Sequence, residues 1–141
     1  MGNTMFAATP LLLLPVLFYN FLALTYGFGA TDAGVRMSVP LFSLPMASGG
    51  RWPVGMGDLI IFLSLVILFI ELLKSTTSRR IAIINHSLSM ILFIICLVEF
   101  LLFRAFATST FFLLTSMVLL DVLAGFIVTI VAGRREIDVV H

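Results

Sequence analysis

Charge is the first thing this 141-residue chain lacks. Asp, Glu, Lys and Arg supply only 11% of it, whereas an ordinary soluble domain carries about a quarter. A water-facing surface cannot be built from so few, which excludes a soluble fold. Eight basic residues against seven acidic ones give a formal charge of +1, so there is no basic patch on which nucleic-acid binding could rest. Cysteine is nearly absent too: the single Cys96 lies inside an apolar run, which rules out an intrachain disulfide framework. No Lys or Arg precedes Arg36, so the basic head of a secretory signal peptide is missing and the first apolar stretch reads as a retained membrane helix. There is no internal repeat and no low-complexity segment.

What the chain has is hydrocarbon. Apolar residues make up 61%, with 14 Phe and a mean hydropathy of +1.22, which excludes disorder. Four stretches approach the ~20 apolar residues that a membrane helix needs: Phe6 to Gly29, Gly55 to Lys74, Ile81 to Arg104 and Phe106 to Gly133. They leave no room for a second domain. The expectation is therefore an all-α polytopic membrane protein, one integral-membrane domain in which four transmembrane helices form a small bundle, with loop 30–54 on the outside.

Several details qualify the spans. Pro10 and Pro15 each remove an amide donor, which predicts a bend or a late start in the first helix. In the second, Asp58 and Glu71 bracket a short apolar run, but counting from Asp58 through Lys74 gives roughly 25 Å at 1.5 Å per residue. That suffices for a crossing if Asp58 caps the start and Lys74 snorkels. In the loop, the alternation of Val35, Arg36, Met37, Ser38 and Val39 suggests a short strand, while Pro40, Pro45, Gly49, Gly50 and Pro53 are expected to break any longer element. Tyr26 and Trp52 read as interfacial anchors. Lys74, Arg79, Arg80, Arg134 and Arg135 fall on one side of a four-crossing chain, with Arg36, Arg51 and Arg104 on the other. The basic excess puts both termini in the cytoplasm.

Polar side chains inside apolar spans carry the remaining information, because an ionisable group at mid-membrane costs about 2.5–3.5 kcal/mol on insertion scales. Asp121 stands roughly 20 Å before Arg134 at helical rise, near mid-depth. Steps of four from it reach Gly125, Thr129 and Gly133, a stripe suited to close helix packing. Asp121 is read as a hydrogen-bonded packing residue, with a proton or cation site as the alternative. Asn85, Ser89, Cys96 and Glu99 share one sector of the third helix, and Glu99 is expected near the outer surface, meeting water or Arg51. Glu71 reads as an acid at the cytoplasmic edge of the membrane, paired with its i+3 neighbour Lys74. His86 is the embedded histidine; a hydrogen-bonded role is expected, with pigment, haem or quinone binding as the alternative. No metal site and no catalytic constellation has supporting spacing.

The residues Gly57-Asp58, Glu71-Leu72-Leu73-Lys74, His86-Ser87-Leu88-Ser89, Glu99-Phe100, Phe106 to Phe112 and Asp121 to Phe126 together resemble a family of short four-helix bacterial inner-membrane proteins of unassigned function. The resemblance covers roughly residues 55 to 136. It implies four helices and a bacterial inner (cytoplasmic) membrane, and it implies no activity. The chain is accordingly expected to be no enzyme but a noncatalytic accessory or scaffolding subunit, in contact with membrane lipid and other integral-membrane subunits, for instance of a bioenergetic complex. The alternative is a proton or cation conductor using Asp121 and Glu99.

Overall fold

A computed structural model describes residues 5, 7–74 and 79–140. The protein is mostly helical. In chain order the elements are helix α1 (Leu13–Tyr26), a short helix α2 (Ala33–Ser38), strands β1 (Pro40–Pro45) and β2 (Arg51–Gly55), helices α3 (Met56–Lys74) and α4 (Arg79–Leu102), a 3-10 turn (Arg104–Phe106) and helix α5 (Ser109–Val140). Three of them, α3, α4 and α5, are long and apolar enough to cross a membrane.

Polarity runs inside out. Glu71 and Asp121 are 0% exposed, whereas Phe62 and Phe69 are 65% and 62% exposed. Water would penalise both arrangements; hydrocarbon favours both, since lipid solvates the rings and polar groups must find partners within the protein. α5 packs along both α3 and α4.

The first apolar stretch forms a shorter helix than its composition suggests. Phe6, where the sequence places its start, lies outside the described residues, as do residues 75–78 of the connection after Lys74. Residues 5, 7 and 8 are helical, but the helix breaks at Thr9 and Pro10; α1 itself begins at Leu13, after a turn in which Leu13 and Leu14 donate to the carbonyls of Pro10 and Leu11. Pro15 then falls in the first helical turn, where a missing N–H breaks no intrahelical bond. At the other end Gly27 takes φ 87°, a conformation that glycine adopts freely, and the helix stops. Its 14 residues span only ~21 Å. The flanking residues extend its reach: Lys74 Nζ donates to the Thr9 carbonyl and the Leu11 N–H to Glu71, while the Ala105 N–H donates to the Phe28 carbonyl. Segment 9–28 thus runs from the end of α3 to the α4–α5 junction.

The loop departs from expectation in two ways. Residues 35–38 are helical, not extended, because Ala33 and Met37, four apart, are the pair that turns inward. The Arg36 guanidinium lies 2.7 Å from the Asp32 carboxylate, an i,i+4 contact that a helix provides and that holds the Asp32 carboxyl below its usual range. A hairpin then forms across the very prolines expected to prevent it. Pro40 and Pro45 sit at the ends of β1, and Pro53 opposes Ser43; a two-stranded sheet has only edge strands, where a missing donor is tolerated. Gly49, at φ 87°, closes the turn by donating to the Met46 carbonyl, and Met46 donates to that of Gly50.

Two caps fix the long helices. The Asp58 carboxylate accepts the Gly55 N–H at 2.9 Å, the reciprocal arm of a capping box. Thr108 caps α5 through the Phe111 N–H at 3.1 Å, which starts that helix at Ser109 instead of Phe106; with no proline after Gly133, the helix continues to Val140. The Thr108 hydroxyl also meets the Tyr19 hydroxyl at 2.7 Å, and Tyr19 donates to the Ala105 carbonyl at 2.9 Å. Tyr19, fully buried between the rings of Phe106 and Phe111, ties α1 to the α4–α5 junction. Replacing Thr108 by Ala should therefore cost about 1–2 kcal/mol of stability, and Thr108→Ser should retain most of it. Denaturation of the purified chain in detergent checks both.

Candidate functional site

The residues singled out in the apolar segments form a cluster between α3, α4 and α5. Asn85 and Ser89 lie one turn apart on α4, Asp121 and Gly125 one turn apart on α5, so each pair shares a helix face. Where those faces meet, Ser89 Oγ donates to Asp121 Oδ2 at 2.8 Å and also lies 3.0 Å from the Asn85 carbonyl. The Asn85 amide, 1% exposed, donates through Nδ2 to Glu71 Oε1.

Glu71 is thereby the hub of the cluster. Its Oε2 accepts the Leu11 N–H at 2.9 Å and faces Lys74 Nζ at 3.4 Å. The ion pair with Lys74 expected from the sequence is present. The carboxylate is nevertheless completely buried, because the chain ahead of α1 and the amide of α4 close over it. Spacing within one helix could not show this.

His86 meets α5 at Gly125. A Cβ on residue 125 would lie 2.0 Å from His86 Cγ, so only glycine admits the ring there. His86 is 9% exposed, and both ring nitrogens are buried without a hydrogen-bond partner. Beside it opens an outward groove of about 370 Å³ lined by Ile83, His86, Ser87, Met90, Gly125, Phe126 and Thr129. Thr129 Oγ1 donates back to the Gly125 carbonyl and is occupied within its own helix. Gly133, the last residue of the stripe, has no such neighbour: a Cβ there would meet nothing within 4 Å.

Glu99 belongs elsewhere. Its partner among the described residues is Asn20 of α1, whose Nδ2 lies 3.4 Å from Oε1, rather than Arg51, which sits on the exposed strand β2. Cys96, fully buried and unoxidised, lies between the two polar regions on α4. Among the described residues no group of three or more His, Cys, Asp and Glu side chains is arranged to hold a metal. The Tyr19–Thr108 junction escaped the sequence reading, although Thr108 ahead of Ser109 and the apolar Phe111-Phe112 pair is a recognisable capping signal.

These contacts separate two glycines of one stripe. Gly125→Ala should destabilise the chain by about 1–3 kcal/mol through overpacking against the imidazole, and His86→Ala should relieve part of that loss in the double variant. Gly133→Ala should be neutral or slightly stabilising through helix propensity. Melting curves of the four variants test the contrast.

No family model, curated protein or solved structure matches the chain.

Proposed function

We propose that the chain is a noncatalytic accessory subunit of a larger integral-membrane assembly, docked through the outer face of α5. One observation carries this reading. Beyond Gly125, α5 continues to Val140 without a fully buried residue: Val128, Thr129, Ala132 and Gly133 are half-buried and the rest are exposed. Phe126, Ile127 and Ile130 are more than half exposed, and Gly133 has open space where a side chain would stand. Thr129 and Gly133 on that face permit the close backbone approach on which membrane helices rely, since lipid supplies no hydrophobic drive for them to associate.

In this reading the chain crosses the membrane four times as one small bundle, with segment 9–28 as the first crossing. Its contacts with Glu71 and Lys74 at one end and with Ala105 at the other support that count. The basic residues then place both termini in the cytoplasm and the β1–β2 hairpin outside. The resemblance of residues 55–136 to short bacterial inner-membrane proteins supports the choice of membrane, and the exposed apolar flanks of α3 and α4 fit lipid contact.

Purification of the tagged full chain in mild detergent should recover a stoichiometric integral-membrane partner. Gly133→Leu should reduce that recovery about tenfold, equivalent to ~1.4 kcal/mol, without lowering the melting temperature of the isolated chain. A homo-oligomer with no other protein would refute the assignment. For topology, an impermeant thiol reagent should label Ser43→Cys in intact cells and Asp138→Cys only after permeabilisation.

A further inference from the structure

Counted as ordinary ionised side chains, the cluster between α3, α4 and α5 does not balance. Glu71 and Asp121 are both 0% exposed. Among the described residues, the cation in contact with them is Lys74, 3.4 Å from Glu71. Two carboxylates against one ammonium leave a net negative charge where an uncompensated ion costs several kcal/mol. The other titratable side chain at the cluster, His86 of α4, has no hydrogen-bond partner on either nitrogen. The segment ahead of α1 contributes the Leu11 N–H and the Thr9 carbonyl, which carry no charge.

Hydrogen-bond donors divide unequally between the two acids. Glu71 receives three: the Leu11 N–H, the Asn85 amide and the Lys74 ammonium. Asp121 receives one, the Ser89 hydroxyl on Oδ2, and its Oδ1 is buried without any. Donors stabilise a carboxylate, and a carboxylate oxygen left bare in a medium without water is penalised. A second bare acceptor lies in the same cluster: Asn85 Oδ1, on the amide whose Nδ2 is committed to Glu71.

We propose that Asp121 is a buried proton-binding site, holding one exchangeable proton on Oδ1 in the folded protein while Glu71 stays ionised as the partner of Lys74. The proton cancels the excess charge. It also turns the bare oxygen into a donor, in a cluster where Asn85 Oδ1 lacks one. Asp121 is then a neutral acid held by packing, with a ligand, H⁺, that it can exchange when the helices part.

Infrared spectroscopy of the full chain in detergent tests this directly. At neutral pH a carboxylic-acid C=O band should be present, shift on ¹³C-labelling of aspartate carboxyls, vanish in Asp121→Asn and persist in Glu99→Gln. Isotope labelling needs no substitution, so the assignment survives a variant that fails to fold. Linkage gives the second readout. A proton bound by the folded state and released by the unfolded chain makes stability fall as pH rises above the ~4 of a free carboxylate. The folded-to-unfolded ratio should drop about tenfold per pH unit through that window, and the slope should be lost in Asp121→Asn. Absence of an aspartic-acid band, or an unchanged slope in Asp121→Asn, overturns the proposal. So does stabilisation of the wild type by sodium relative to choline at equal ionic strength, if it disappears in Asp121→Asn, because the site would then hold a metal cation.

Discussion

No water arrives inside hydrocarbon to complete a hydrogen bond, and the Glu71 carboxylate is where this chain meets that constraint most directly. Its two oxygens collect a backbone N–H from the segment before α1, an amide from α4 and the ammonium at the end of its own helix. The Leu11 N–H is an orphan donor in the turn that precedes α1, where Pro10 and Pro15 prevent a continuous helix. Elsewhere such an end would face solvent. Here the carboxylate takes its place, and a helix interrupted by prolines can begin beside the end of α3 without leaving a bare amide in an apolar surround.

Midway along the same segment a second tie is held by a different chemistry with the same logic. The Tyr19 hydroxyl, the Thr108 hydroxyl and the Phe111 N–H form a chain in which each donor has an acceptor: Tyr19 gives to the Ala105 carbonyl, Thr108 gives to Tyr19, and Phe111 gives to Thr108. The rings of Phe106 and Phe111 seal it. Between the two polar ties the contact is apolar, through Leu12 and Val16. A helix too short to span by itself is thus positioned at its start and its middle, and the two ties set its register against the other helices.

How far the sequence could be read follows from which forces are local. α3 and α4 lie within about two residues of their expected limits, because uninterrupted apolar runs without proline leave a helix no competitor. α1 and α5 differ more, since their ends depend on caps and turns: Pro10, Pro15 and Gly27 shorten one, Thr108 starts the other late, and the Arg134-Arg135 pair does not stop it. In the loop two periodicities compete. Residues 35 to 39 alternate like a strand, yet Ala33 and Met37 obey the helical spacing and are the ones buried. At the cluster, i,i+4 spacing puts Asn85 with Ser89 and Asp121 with Gly125, but a helical period says only which side chains share a face. That Glu71 meets Asn85 rather than solvent, and that Glu99 meets Asn20 rather than Arg51, depends on which helices touch.

The glycine stripe makes the same distinction in a form that bears on function. Gly125 and Gly133 occupy one face of α5 by spacing, and nothing in composition separates them. In the folded chain the space at the first is filled by an imidazole ring and that at the second by nothing. A glycine within a helix interior costs about 1 kcal/mol relative to alanine, a cost that close packing offsets at Gly125 and that no contact within the chain offsets at Gly133. From Phe126 onward α5 has no fully buried apolar residue, and in the function proposed above the neighbour that offsets that cost is a helix of another protein.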